Sequence, residues 1–442
     1  MDIREENMNI CIFGLWHLGS VYSACLAKLG HVIIGLDFDE ETVKNLQNGK
    51  APLFEPGLNE LIVENLQANR LSFTCDTQKA LKGAQVVWVT FDTPVNDRDV
   101  ADVLFIEKNI LKIMPFLNNG GKVIISSQAP VGFVSKIEKY FAKNYPEKKC
   151  YFACSPENLR LGKALDTFLN PDRIVIGIRN NQSKDVFLPL FSSITTRLEW
   201  MKTESAEMTK HAINSFLAIS VCFANEIASI CEQVGADAKE VERGLKTESR
   251  IGPKAYLGPG VAFSGGTLAR DINFLTKLSK KHELPSYLIK AVNDSNSFHK
   301  GWIERKCFQL LGNLNKKTIA ILGLTYKPGT DTLRRSFAVE LADTFHRQGV
   351  MINGFDPVIK SLPAKLSRVL SLKHSIREAV IDADAVIIAT EWPQFRQFDQ
   401  DLINLMKNKI VIDPNGFIAK LMESEGIKYF SVGRSISRKR KE

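Results

Sequence analysis

The sequence predicts an α/β fold in which two doubly wound, Rossmann-like domains are joined by a helical middle domain. Three observations carry this. Short apolar runs alternate with helical patterns from Asn9 to about residue 200. The middle of the chain then reads as helix alone, and strand and helix alternate again from Lys317 with TIAILGLTYKPGTD. A chain of 442 residues has room for roughly two to four domains of about 150 residues each.

The elements follow in order. NICIFG (Asn9 to Gly14) is an apolar strand ending in glycine; the helical pattern SVYSACLAKLG and a second strand, HVIIGLD (His31 to Asp37), complete a βαβ unit. Further strands are read at Val86 to Thr90, Val123 to Ser126, Tyr151 to Cys154 and Arg173 to Gly177. From about Ser205 to Lys246 the spacing predicts one long amphipathic helix, and helical spacing continues through INFLTKLSKKHEL and SYLIKAVNDSNSFHKGWIERKCFQLLG. The last region offers a helix from about Ser336 to Arg347 and strands in MINGFDP, AVIIATEW and KIVIDP. The expected domains are therefore 1–200, 201–315 and 316–435, with a basic tail at 436–442. The two α/β halves read as alike in architecture, without a residue-level repeat.

Hydrophobic residues make up 44% of the chain and charged residues 24%, as in ordinary soluble globular proteins. The polar start, MDIREENMN, is unlike a signal peptide, and no uninterrupted apolar run reaches the ~18 residues of a membrane span, so a cytoplasmic protein is expected. The eight cysteines are scattered without the spacing of a zinc site or a disulfide framework, so no metal is expected and most should be small core residues. A net charge of +9 suits an anionic ligand. The tail Arg438-Lys439-Arg440-Lys441 has no interleaved aromatic residues and reads as solvated, with no nucleic-acid partner.

Two segments point to chemistry. Gly14-Leu15-Trp16-His17-Leu18-Gly19 follows the first strand and places glycine at the first and sixth positions of a dinucleotide fingerprint, with Trp16 at the third. Asp37 ends the second strand 23 residues after Gly14, where a carboxylate accepts hydrogen bonds from ribose hydroxyls and repels a 2′-phosphate, favouring NAD over NADP. The second segment, Arg250 to Asp271, gathers Gly252, Gly258, Gly260, Gly265, Gly266, Pro253 and Pro259 into a loop far richer in permissive backbone than a connection needs. It contains no cysteine.

These segments and several others resemble the UDP-glucose/GDP-mannose dehydrogenase family over nearly the full chain. The matching stretches are GLDFDEETVKNLQNG, FEPGL, SPENL, NPDRIVIG, AEMTKHAINSFLA, the glycine-rich loop, GLTYKPGTDTLRRS and ADAVIIATEWPQF. The resemblance implies an NAD domain, a helical dimer core and a last domain that helps hold a nucleotide-sugar. It implies that Gly14, Trp16, Leu18, Gly19, Asp37 and Gln128 serve the cofactor. Arg250, Lys254, Gly258, Gly260, Gly265, Arg270, Lys327 and Arg334 would serve the substrate. Lys210 stands at the family's catalytic lysine with Asn214 one turn on, so both project from one face of the helix. Asp271 matches the loop-closing aspartate, with a helix N-cap as its structural alternative. For Lys210 the structural alternative is a surface pair with Glu207.

Departures from the family pattern are concentrated in one half of the reaction. Thr267 stands where the family has its nucleophilic cysteine, Arg270 replaces a lysine, Gln128 replaces a threonine, and Leu161 replaces a second glutamate beyond the retained Glu157. A threonine hydroxyl is far less acidic than a thiol, whose ordinary pKa is about 8.5, and makes a poor nucleophile without a neighbouring base. Cys154 ends an apolar run and reads as core. Asp413-Pro414-Asn415-Gly416 stands where the family has an arginine. The expectation is one two-electron oxidation of a nucleotide-linked sugar by a homodimer. The alternatives are a four-electron reaction without a covalent intermediate and a non-catalytic nucleotide-sugar-binding protein.

Overall fold

Strand β1 (Asn9–Phe13) is buried along nearly its whole length, as a strand with both faces covered must be. It pairs in parallel with β2 (Val32–Leu36) on one side and with β4 (Val86–Val89) on the other. With β3 (Leu71–Thr74), β5 (Lys122–Ile125), β6 (Tyr151–Cys154), β7 (Ile174–Ile178) and β8 (Leu198–Lys202) it forms an eight-stranded sheet of order β3-β2-β1-β4-β5-β6-β7-β8. All pairs are parallel except β6 with β7. This computed structural model describes residues 7–96, 101–264, 266–419 and 426–434. They divide into two compact units, Met1–Ala212 and Ile213–Glu442.

Strand order reverses at β1 and β4, and the crevice beyond their carboxyl ends is the expected ligand position in such a sheet. Phe13 is level with Leu36 and with Val89, so the segments leaving β1, β2 and β4 emerge side by side. Helix α1 (His17–Lys28) leaves the first of them and packs its apolar residues over the sheet. Helix α2 (Phe133–Asn144) starts after Gly132, in the left-handed region at φ 92°, and covers the other face with Val134, Ile137 and Phe141.

The helical middle consists of α3 (Thr203–Val234) and α4 (Ala238–Thr247) where the spacing predicted one long helix. Gly235, at φ 81°, ends α3, and the Asp237 carboxylate caps α4 by accepting from the Lys239 N–H. α3 crosses the boundary between the units. In the second unit α5 (Gly266–Lys281) and α6 (Tyr287–Lys300) follow.

The second sheet comprises β9 (Thr318–Leu322), β10 (Met351–Phe355), β11 (Ser371–Leu372), β12 (Ala385–Ile388), β13 (Ile410–Ile412) and β14 (Lys428–Phe430), in the order β11-β10-β9-β12-β13-β14, all parallel. α7 (Phe337–Arg347) covers it with Ala338, Leu341 and Phe345.

The two sheets share more than architecture, which corrects the expectation of no residue-level repeat. Gly14-Leu15 after β1 corresponds to Gly323-Leu324 after β9, both glycines having positive φ. Asp37 after β2 accepts from the Leu15 N–H at 2.7 Å, and Asp356 after β10 accepts from the Leu324 N–H at 2.7 Å. Only three residue positions spread over long separations are involved, too few to register in a linear reading.

Candidate active site

The turn after β1 is built around two glycines with no room for a side chain. A Cβ on Gly14 would lie 2.7 Å from the Phe91 ring, and one on Gly19 would collide with the Gly14 carbonyl oxygen. Trp16 occupies the cap position of α1 in extended conformation, with its side chain about half exposed. Leu18 is buried on the first turn. Asp37 spends one oxygen on Leu15 and the other on the Asp39 N–H at 3.1 Å, and the side chain stays partly accessible. This glycine cradle with a terminal-strand carboxylate fits the adenosine half of a dinucleotide.

Beside the carboxyl end of β5 lies a recess lined by Ser127, Gln128, Cys154, Glu157, Glu207 and Lys210, among others. Lys210, on α3, directs its ammonium to the Glu157 carbonyl oxygen at 2.6 Å and to Glu157 Oε1 at 3.0 Å. The other Glu157 oxygen accepts from the Leu159 N–H. The Lys210 side chain is 11% exposed, so this pair is largely withdrawn from solvent. Gln128 is buried, and its carbonyl oxygen accepts from the Thr93 hydroxyl.

Glu207 is not the surface partner of Lys210. Its carboxylate accepts from the Gly132 and Val134 N–H groups at 2.6 and 2.9 Å, closing the start of α2 beneath the Ser127–Pro130 segment. Burial pushes its carboxyl above the ordinary value, against the opposing pull of those two N–H donors. A raised folded-state pKa contributes stability that is fully present below the unfolded pKa of about 4.5 and is lost as pH rises through the folded one. Glu207→Gln is therefore expected to flatten the fall in denaturation midpoint between about pH 4 and pH 7, as a urea titration at each pH would show. Cys154 is buried and its thiol is pushed well above the ordinary value by burial, so it is the core residue expected.

In the second unit Asp271 is fully buried and accepts from the Asn214 side-chain amide. It is the sixth residue of α5, which corrects the N-cap alternative: the helix begins at Gly266, and Thr267, Arg270 and Asp271 all lie on its first turns. Thr267 is exposed and Arg270 is partly buried. Gly265 lies outside the described residues, as does the basic tail.

The glycine-rich segment ahead of α5 is held by four side chains. The Gly260 N–H donates to Asn225 Oδ1 at 3.0 Å, and its carbonyl oxygen pairs with His299 Nε2 at 2.8 Å. Asn296 bonds both the N–H and the carbonyl of Phe263, and Asn415 Oδ1 accepts from the Val261 N–H at 2.9 Å. A Cβ on Gly260 would collide with Asn415 Oδ1, whereas one on Gly258 meets nothing closer than Glu242 Oε1 at 3.5 Å. Gly260→Ala is expected to destabilise the protein by about 1–3 kcal/mol and Gly258→Ala by much less, read from denaturant midpoints.

The four outlying basic residues are all exposed. Arg250 is exposed and turned to Glu248 at 3.0 Å, Lys327 lies over the Tyr326 ring, and Lys254 and Arg334 are exposed. Asn415, Asn225, His299 and Glu207 were not singled out as site residues from sequence. The only signals were DPNG for Asn415 and the position of Glu207 three residues before Lys210.

Three models of the UDP-glucose/GDP-mannose dehydrogenase family match in order: the NAD binding domain over residues 8–195, the central domain over 204–298 and the UDP binding domain over 320–420. The chain belongs to the UDP-glucose/GDP-mannose dehydrogenase family. It is 35% identical over 441 residues to a UDP-glucose 6-dehydrogenase of Rickettsia bellii, covering 97% of this chain and 100% of that protein. Among solved structures it superposes on a UDP-glucose dehydrogenase from Pyrobaculum islandicum with a TM-score of 0.88 at 27% identity, covering 98% and 99% of the two chains. A UDP-D-ManNAc dehydrogenase from Pyrococcus horikoshii gives 0.85 at 25% identity, covering 97% and 99%. The protein is thus an NAD-dependent nucleotide-sugar dehydrogenase by family, with NAD as its cofactor. The Gly14, Gly19 and Asp37 cradle is the part of the structure that fits it.

Proposed function

We propose that this dehydrogenase carries out one two-electron oxidation, converting an alcohol of a UDP- or GDP-linked sugar to the carbonyl, and stops there. The observation that carries the reading is Thr267, exposed on the first turn of α5 in a segment without a thiol. The cysteines that bracket this segment, Cys231 and Cys307, are both buried in the second unit's core. NAD, when bound, accepts the hydride.

The chain's own residues supply the rest. Lys210 places a positive charge for the alkoxide that forms as the alcohol loses its proton, and Glu157 holds that ammonium in place. Asp271, oriented by Asn214, takes the proton through a hydroxyl or water. Names of relatives favour a UDP-sugar. Gln128 and Leu161 stand where the hydrolytic half of the family's chemistry would need other side chains, in keeping with a reaction that ends at the carbonyl.

The reading includes a homodimer and a cytoplasmic location. α3 is the one helix among the described residues long and apolar enough to cross a membrane, but half of its most apolar window is buried within the chain. In the second unit it exposes Phe216, Phe223 and Ile230 at seven-residue spacing, a stripe suited to a second copy of this chain.

Incubating the protein with NAD and a panel of UDP- and GDP-sugars, then weighing the product, tests the reaction. A product about 2 mass units lighter than its substrate supports it. A product about 14 mass units heavier, formed with two NADH per sugar, rejects it in favour of four-electron oxidation.

A further inference from the structure

The first turn of α1 has neither an acidic residue nor a side-chain cap of its own. Its donors are met from elsewhere. The Leu15 N–H is taken by Asp37, and the Leu18 N–H points to Asp92 Oδ2 at 3.4 Å, the long end of a hydrogen bond. His17 Nε2 meets the buried Glu55 carboxylate at 2.9 Å, and that carboxylate also accepts from the Gly162 and Ala164 N–H groups. Three carboxylates therefore surround the turn. A helix N-terminus with free N–H groups and a positive dipole end is where a dinucleotide pyrophosphate binds. Here one of those groups already has an anion.

The three carboxylates differ in what they can do. Asp37 belongs to the cradle itself, and Glu55 is committed to three donors inside the fold. Asp92 is exposed, leaves β4 on the crevice side of the sheet, and has the weakest hold on its donor. Trp16 crowds the same turn, about half exposed where a small residue would leave backbone accessible.

We infer that Asp92 is an affinity-setting residue: its carboxylate occupies the helix-end donor at Leu18 that a dinucleotide phosphate would use, and so weakens the binding of NAD. Whatever else pairs with Asp92, the oxygen on Leu18 must be displaced by a phosphate oxygen, and its charge opposes the arrival of that phosphate. The effect belongs to the phosphate and not to the adenine or ribose. It acts on the ground-state complex and needs no sugar substrate. The inference rests on the assignment of NAD to this domain.

Titration calorimetry of the full chain with NAD, ADP-ribose and adenosine, comparing wild type with Asp92→Asn and Asp92→Ser, tests it. Neutralising the carboxylate is expected to tighten NAD and ADP-ribose about fivefold at low salt, an effect that shrinks at about 0.5 M salt. Adenosine, which carries no phosphate, should bind all three proteins equally. An unchanged or weaker NAD affinity in a variant with the wild-type thermal midpoint overturns the inference and leaves the cofactor assignment standing. Failure of all three proteins to bind NAD or ADP-ribose overturns both.

Discussion

Lys210→Ala is expected to lower NADH formation at saturating substrate by about a hundredfold to a thousandfold, with little change in thermal midpoint. The Lys210 side chain is 11% exposed, and its ammonium is fixed by two oxygens of one residue, the Glu157 carbonyl and carboxylate. A charge held this way needs no reorganisation when an alkoxide forms, which is why its removal falls on turnover. The Glu157 side chain it leaves behind is 23% exposed and its carboxylate still accepts from the Leu159 N–H, so water can replace the lost partner at small cost to folding. Lys210→Arg retains charge but replaces a point donor with a planar fork, and is expected to restore only part of the rate. Wild-type turnover in the alanine variant, measured by NADH absorbance, would remove Lys210 from the mechanism.

Asp271→Asn is expected to be comparably damaging, lowering turnover by about a hundredfold or more. It differs in also costing stability, because Asp271 is fully buried and accepts from the Asn214 amide. Exchanging carboxylate for amide weakens that acceptor inside the second unit, worth about 1–3 kcal/mol. The two effects separate by experiment. Asn214→Ala removes the orienting amide and leaves the carboxylate, so it should keep part of the rate, whereas Asp271→Asn, with no base, should not. If Asp271→Asn turns over as fast as Asn214→Ala, Asp271 is a structural residue of α5 and no base.

Much of this was legible in the sequence, and the reasons for the rest are physical. β1, β4 and β12 were found because both faces of a central parallel strand are covered, which forces apolar runs such as VVWV and AVII. β8 and β14 lie at sheet edges and carry charge, so LEWMK and KYF lack the apolar run that marks a central strand. The helical spacing runs unbroken from Ser205 to Lys246, and what divides it is backbone conformation: Gly235 takes a positive φ and ends α3. In the same way the glycines ahead of Asp271 suggested loop, yet Gly266 already begins α5.

Among candidate site residues, sequence supplied Lys210 and Glu157 in the first unit and Asn214 and Asp271 in the second, but not what holds each pair. Glu207 reaches N–H groups 75 and 73 positions away, and Asn415 reaches one 154 positions away. No local pattern encodes such pairs. The absent arginine near residue 415 looked in sequence like a lost nucleotide contact. The structure gives the position another task, since Asn415 clamps the backbone at Val261 and leaves Gly260 no space for a methyl group.

The repeated turn has a consequence of its own. Asp37 and Asp356 make the same 2.7 Å bond to the same kind of amide, but Asp356 is also bonded by Thr325 and by the Trp392 indole and is 2% exposed, whereas Asp37 remains partly open. One copy is sealed and can serve only the fold; the other faces the crevice and can serve a ligand as well. The chain thereby contains its own control. What the sealed aspartate contributes to folding gauges the architectural share of the open one, and the remainder is what the cofactor receives.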